Sequence, residues 1–299
     1  MKRLRADLIL LLVALIWGSA FVVQRVAGRS FDPFTFNGLR FLLGGLLILP
    51  FAVYGRQKRL TTQQTSPGKT KDYFIFIILA GLLLFGAGGL QQAGLETTTA
   101  GNAGFITSLY VVIVPLILAL IWKQRLPWTG WGAACLAVFG SFLLSTGGTF
   151  RLESGDVLEL AGSVLWALHV ILVGRAMRQL DVLSFSAGQY LVAGVLNMLI
   201  SLFTRQSLAG LQAAWWTVIY IGCLSTAIGY TLQVYGQKTA PAADAAILLS
   251  MEAVFAALTG YVFLDERLVL VQIIGCVFIL GAILLAQIRV KNLEHAKIS

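Results

Sequence analysis

Ten predominantly apolar stretches of about 19–24 residues run through the chain, at 7–25, 35–54, 73–93, 100–122, 128–146, 156–175, 183–203, 215–236, 241–264 and 268–288. Crossing the hydrocarbon core of a bilayer takes ~20 residues of α-helix at ~1.5 Å rise each, and in lipid a helix satisfies its own backbone polar groups. The pattern predicts an all-α integral membrane protein with ten transmembrane helices. Composition agrees: 58% of the 299 residues are apolar and 12% charged, against about 45–50% and ~25% in soluble domains. These figures exclude a water-soluble enzyme, a disordered chain and a disulfide scaffold. Lys2, Arg3 and Arg5 precede the first stretch, as in a signal peptide. That stretch is longer than most apolar signal cores and no A-x-A site closes it, so it reads as a retained span.

The formal charge of +9 gives orientation. With a cytoplasmic N-terminus, sixteen of the 22 Lys and Arg residues fall on that side, Arg56, Lys123, Arg175, Lys238 and Arg289 among them. Five, namely Arg25, Arg29, Arg151, Arg205 and Arg267, fall on the other, and Arg40 lies within a span. This bias follows the positive-inside rule and puts both termini on the cytoplasmic face of a cell inner membrane. No basic run alternates with aromatics in a polar segment, so nucleic acid is not a partner. Cys135, Cys223 and Cys276 lie far apart in apolar segments without a CxxC and read as buried inert thiols, with no metal site. Gly68-Lys69-Thr70 ends like a phosphate loop, but Gln63 stands where its first glycine belongs, and ATP hydrolysis is not expected. The polar 55–72 connection, with Ser66-Pro67-Gly68, reads as a flexible loop.

The two halves repeat. Leu90-Gln91 matches Leu232-Gln233, Gly94 matches Gly236, Ser108 matches Ser250 and Arg125-Leu126 matches Arg267-Leu268, at one spacing without a gap. Asn102 pairs with Asp244 in the same register. Earlier in each half the spacing is slightly larger: Trp17 matches Trp166, Phe41 sits opposite Tyr190, and Gly45 matches Gly194. Such a register argues for duplication, with helices 1–5 in residues 1–147 and helices 6–10 in residues 148–299. Five spans is an odd number, so the second copy must enter the membrane upside down. Two inverted five-helix repeats are a hallmark of secondary transporters.

Four runs carry a resemblance. They are Trp17-Gly18-Ser19-Ala20-Phe21, Arg40-Phe41-Leu42-Leu43-Gly44-Gly45, Ala100-Gly101-Asn102-Ala103-Gly104, and the stretch from Ala243 through Ser250-Met251-Glu252-Ala253-Val254-Phe255 to Leu264-Asp265-Glu266-Arg267-Leu268. Together they resemble the EamA-like branch of the drug/metabolite transporter superfamily, over nearly the whole chain. The resemblance implies a central cavity between the repeats and export of small metabolites, often amino acids. Many relatives carry Pro after the Glu of the ninth helix. Here Ala253 stands there, and no proline hinge is expected.

Glu252 lies about midway along the ninth span, where a carboxylate costs at least ~2.5–3.5 kcal/mol on insertion scales and so faces an interior cavity or is protonated. It is a candidate for proton coupling or for receiving a substrate amine. His169, in the sixth span, is a second coupling candidate because imidazole titrates near neutral pH, with hydrogen-bonded packing as the alternative. Arg40, near the outer end of the second span, suits a bidentate substrate carboxylate or snorkelling to the interface. Glu159, in the first turns of the sixth span, reads as exposed at the interface. Gln91, Asn102 and Thr107 in the first half, and Tyr230, Gln233 and Ser250 in the second, must face the bundle as cavity lining or interhelical glue. Trp17 and Trp166, repeat mates inside spans, suit an aromatic wall, and Ser19 follows Trp17 in the first signature.

The reading that results is a secondary transporter exporting small metabolites by alternating access, with proton antiport through Glu252 and no cofactor. Neutral or aromatic amino acids are the substrate class the resemblance favours. Its partners are a small-molecule substrate, protons and the lipid bilayer, and a monomer suffices because duplication supplies both halves. Alternatives are import or exchange of a nucleoside, amine or phosphorylated metabolite, and a receptor that binds without transport. HExxH and GxSxG do not occur, which disfavours a membrane enzyme.

Overall fold

The structure, a computed structural model, describes residues 2–61, 70–98, 100–124, 127–149, 151–206, 208–264 and 268–295. The chain forms α1 (Lys2–Ala27), α2 (Pro33–Thr61), α3 (Thr70–Gly94), α4 (Ala100–Ser108), α5 (Tyr110–Trp122), α6 (Trp128–Thr146), α7 (Asp156–Ala176) and α8 (Val182–Phe203). There follow α9 (Gly210–Tyr220), a π-helical segment (Ile221–Tyr230), α10 (Thr231–Gln237), α11 (Ala242–Leu249), α12 (Met251–Leu264) and α13 (Leu270–His295). Among the described residues, nine helical stretches are long and apolar enough to cross a membrane, and Leu270–Ala286 of α13 supplies a shorter tenth. The fourth crossing is α4 with α5, the eighth runs from α9 to α10, and the ninth is α11 with α12.

Leu46, Phe51, Val277 and Leu284 stand exposed on helix faces, a surface suited to lipid tails. Trp122, Trp128, Trp215 and Trp216 are exposed near helix ends, where amphipathic rings sit at headgroup level. Cys135 is also exposed, and Cys223 and Cys276 are half-buried, which corrects the expectation that all three thiols are buried. Cys135 shares its stripe of α6 with the half-exposed Phe139, whose ring meets Phe278 of α13 at the rim of that packing. Helices α2 and α13 run past their apolar stretches to Thr61 and His295, because straight-chain residues such as Arg56 and Lys291 favour helix. Residues 55–61 and 70–72 of the expected loop are thus helical, and Ser66-Pro67-Gly68 lies outside the described residues, as do Arg125-Leu126 and Asp265-Glu266-Arg267.

Equivalent helices of the two halves meet and run antiparallel. α2 packs on α8, with Gly38 against Met198, Gly45 against Leu191 and Gly194 against Leu42. Thr35 Oγ1 and Ser201 Oγ close the same seam at 2.6 Å. α6 packs on α13 in the same sense, Gly132 against Leu285 and Gly140 against Gly275. A Cβ on Gly194 would stand 2.7 Å from the Leu42 nitrogen, and one on Gly140 2.7 Å from the Gly275 carbonyl oxygen, so glycine sets the helix separation. The remaining packing obeys the same exchange. α3 lies on α7 and α8 as the eighth crossing lies on α1 and α2, and α1 lies on α11 and α12 as α7 lies on α4 and α5.

Regular hydrogen bonding lapses midway through the fourth and ninth crossings, at Leu109 and Ser250. Ser108 Oγ donates to the Phe105 carbonyl and Ser250 Oγ to the Ile247 carbonyl, each at 2.7 Å. A hydroxyl bonded back to a carbonyl three residues earlier competes with the backbone ladder. Because Phe105 and Ile247 are themselves repeat mates, the device occurs twice and needs no proline in the ninth helix. The π-helical segment has no such mate. Gly222 against Leu43 and Gly229 against Trp17 give its wider turns room beside α2 and α1. Departures of this kind concentrate at functional sites.

Candidate substrate cavity

The crossings of both halves line a cavity of about 520 Å³, the open space at its mouth included. Its wall comes in repeat pairs: Trp17 with Trp166, Gln91 with Gln233, and Tyr110 with Glu252. Tyr230 is the hub of an aromatic wall, its ring centre 4.7 Å from that of Trp17 and 6.0 Å from that of Trp166, with the latter pair stacked at 18°. Trp17 Nε1 donates to the Ser225 carbonyl in the π-helical segment at 3.3 Å. Trp166 Nε1 and Gln233 Oε1 have no hydrogen-bond partner among the described residues, an arrangement that costs ~1–3 kcal/mol for each such group when buried.

Arg40 enters the cavity from α2 and is 2% exposed, too deep for snorkelling to the interface. Its Nε donates to Asn37 Oδ1 at 2.7 Å, and Asn37 Nδ2 donates to the Gly88 carbonyl at 2.9 Å. The guanidinium lies 4.6 Å from the Phe41 ring centre and 5.7 Å from that of Phe36. Gly88, the repeat mate of Tyr230, makes the space, since a Cβ there would stand 3.2 Å from an Arg40 terminal nitrogen. Arg40 takes part in neither ion pair found among the described residues. A guanidinium oriented by a neutral amide and rings, with no carboxylate, keeps its fork for an anion.

Glu252 is buried, and Tyr110 Oη donates to its Oε1 at 3.2 Å. Because the two are repeat mates, their bond lies where equivalent positions of the halves meet. Tyr230 lies within electrostatic reach of both Arg40 and Glu252. Among the described residues the cavity lining therefore combines one cation, one carboxylate and five aromatic side chains. Amides extend the wall: Gln91 Nε2 donates to Thr107 Oγ1 at 3.3 Å, and Gln233 Nε2 to Gln237 Oε1 at 3.0 Å.

The profile of the EamA-like transporter family matches residues 4–146 and again residues 153–287. The chain belongs to the EamA-like transporter family. An uncharacterized transporter of Archaeoglobus fulgidus is 32% identical to it, over 97% of this chain and 88% of the relative. The uncharacterized transporter YoaV of Bacillus subtilis is 22% identical, over 89% of this chain and 91% of its own. A solved crystal structure, 20% identical, superposes with a TM-score of 0.78 over 98% of this chain and 99% of the other, a likeness of fold. This EamA-like chain is thus a multi-pass membrane transporter whose family profile falls once on each half.

Within this EamA-like fold, Trp17, Arg40, Gln91, Trp166, Tyr230, Gln233 and Glu252 come together on the cavity wall. Ser19 does not; its Oγ lies 2.8 Å from both the Tyr220 hydroxyl and the Ile16 carbonyl and ties α1 to α9. Ser250 serves the interruption of the ninth crossing. His169 stands behind the wall, its Nε2 2.9 Å from Gln189 Oε1 and its ring edge-on to Trp166 and Tyr230. Asn102 belongs to α4 by its backbone, and its side chain lies outside the described residues. Glu159 is 0% exposed, contrary to the interfacial reading, because the end of α3 packs over the first turn of α7 at Gly94.

Sequence reasoning did not single out Tyr110, Phe21 or Gln24, which also line the cavity. For Tyr110 the signal was present, since the repeat register sets it opposite Glu252. A second hollow, with about 730 Å³ of empty space, is lined by Gly174, Arg175, Arg178 and Asp244. Beside it Arg3 bridges Asp7 at 2.9 Å and Asp244 at 3.0 Å, joining the start of α1 to the start of α11.

Proposed function

We propose that this transporter exports small zwitterionic metabolites, neutral or aromatic amino acids, across the cytoplasmic membrane in exchange for protons. It works as a monomer with both termini in the cytoplasm, and its two inverted halves, 1–147 and 148–299, expose one cavity to either face in turn. The antiparallel packing of α2 with α8 and of α6 with α13 supports the inversion. The observation that carries the substrate class is Arg40, a buried guanidinium without an ion-pair partner among the described residues, in one cavity with Glu252 and the rings of Trp17, Trp166 and Tyr230. A zwitterion fits that set: carboxylate on the Arg40 fork, ammonium on Glu252, side chain against the rings. Ammonium and proton then compete for Glu252, which does not stay charged and unpaired in a lipid interior, and that competition is an exchange.

A thermal-shift screen of purified protein tests this reading, because a specific ligand raises Tm by mass action. L-phenylalanine is expected to raise Tm, while phenethylamine and phenylacetate, each lacking one of the two charges, leave it nearly unchanged. Arg40→Gln is expected to remove the response. A nucleoside or an amine that stabilises the protein where amino acids do not would replace the substrate assignment.

A further inference from the structure

The first turn of α7 buries a carboxylate that is not part of the cavity wall. Glu159 Oε2 accepts the Thr107 hydroxyl at 3.0 Å, while Oε1 has no partner among the described residues and lies against Gly94, where a Cβ would stand 2.8 Å away. The elements packed on α7 are α3, α4, α5, α10 and α11. α3 presents Gly94 and α4 presents Thr107, both neutral. α5 carries Tyr110, and α10 carries the amides Gln233 and Gln237. Asp244, the acidic residue of α11, sits at the opposite end of the bundle beside Arg3. On α7 itself the nearest charged group is another carboxylate, Asp156, which accepts the Thr98 hydroxyl at 2.5 Å. No Lys or Arg forms an ion pair with Glu159 among the described residues.

Thr107 and Gln91 both line the cavity, so one hydroxyl separates Glu159 from the substrate space. An ionised carboxylate with a single neutral donor, and a second carboxylate one turn away, is costly in lipid. A neutral carboxyl suits the geometry, with the Thr107 hydroxyl on the carbonyl oxygen Oε2 and the proton on Oε1. The repeat mate of Glu159 is Leu10, so the duplicated scaffold does not require an acid at this position.

We propose that Glu159 is a second proton-binding site of the transport cycle, loaded from water in the cavity past Thr107 and emptied by the same route. This rests on the transport reading above. Infrared titration of the full chain in lipid reads the carboxyl without any substrate. The expected result is a protonated-carboxyl band that Glu159→Gln removes, that Thr107→Val moves to higher frequency by deleting the donor, and that Thr107→Ser leaves in place. A spectrum unchanged in Glu159→Gln overturns the proposal, and so does loss of the band on adding sodium at fixed pH, which assigns the site to a metal cation. In proteoliposomes held at zero potential under a gradient of one pH unit, each coupled proton multiplies the accumulation limit by ~10. L-phenylalanine accumulation is then expected to reach ~100-fold in the wild type and ~10-fold in Glu159→Gln, with gradient-free counterflow intact. Equal limits in the two proteins overturn the role in the cycle. Counterflow missing from the wild type sinks the transport reading instead, while the infrared result still decides the proton site. If Glu159→Gln does not fold, the infrared shift in Thr107→Val decides the proton site, and Glu159→Leu, which copies the repeat mate Leu10, carries the accumulation measurement.

Discussion

In the second half, Gln189, His169 and Tyr230 occupy the positions that Arg40, Ala20 and Gly88 occupy in the first. Gln189 bonds His169, and His169 stands edge-on behind the Tyr230 ring. Arg40 instead lays its guanidinium over Gly88, in the space that a larger residue would fill. Equivalent backbone positions thus hold an aromatic wall in one half and a buried cation in the other. Elsewhere the halves agree: Trp17 with Trp166, Gln91 with Gln233, Gly45 with Gly194, and Ser108 with Ser250. The contrast sorts the residues by task. Of the positions that match, the glycines and serines set helix separation and helix interruptions, which both halves need if they are to exchange conformations, while the tryptophans and glutamines frame the cavity wall from both sides. On the proposed reading, Arg40 and Glu252, whose mates differ from them, set recognition, because a zwitterion would present unlike ends to them.

The strongest way to break this comparison is to remove the cation. Arg40→Gln is expected to weaken L-phenylalanine binding by roughly 100-fold, about 3 kcal/mol, the range for truncating one partner of a buried charge pair. Arg40→Lys is expected to restore little of it, because an ammonium lacks the planar fork. Isothermal titration against Gln189→Ala, the mate substitution, shows whether the effect belongs to the first half alone. Next, Glu252→Gln is expected to weaken L-phenylalanine binding, because the ammonium loses its partner, and to cut the accumulation limit under a gradient of one pH unit from ~100-fold to ~10-fold. Undiminished coupled flux in that variant ends the proton role of Glu252.

The matched positions give smaller, paired effects. Gly45→Val and Gly194→Val are each expected to destabilise by about 1–3 kcal/mol through overpacking of the α2–α8 seam, and by similar amounts. Unequal losses of Tm in detergent would contradict the equivalence of the two contacts. Smallest of all, Ser108→Ala and Ser250→Ala release a bonded-back hydroxyl and are each expected to change stability by less than ~1 kcal/mol. Both are expected to slow counterflow alike, because each regularises a helix interruption that its mate retains.

The crossings and their pairing were legible in the sequence because lipid imposes both length and internal hydrogen bonding, and duplication leaves a register. That register also pointed to Tyr110 opposite Glu252, although a tyrosine in an apolar run carries no signal alone. The π-helical segment was not legible, since periodicity arguments assume a regular turn and the Ser225-Thr226 pair and two glycines of Ile221–Tyr230 are equally at home in a regular membrane helix. Burial of Glu159 depends on where the end of α3 lands, a tertiary outcome that the position of Glu159 near a helix start does not reveal. Ser19 shares the first signature with Trp17, but a largely apolar α1 gives no sequence cue as to which face meets α9 and which meets the cavity.

Single-cysteine accessibility tests alternating exposure of one cavity most directly. With Cys135, Cys223 and Cys276 replaced by alanine, one cysteine is placed at Phe21 on the cavity wall or at Gly174 in the second hollow. An impermeant maleimide is expected to reach position 21 only from the face opposite the termini and position 174 only from the face that carries them, with L-phenylalanine and a pH gradient changing the two rates in opposite directions. Labelling of both positions from one face, or rates that rise and fall together, would contradict it.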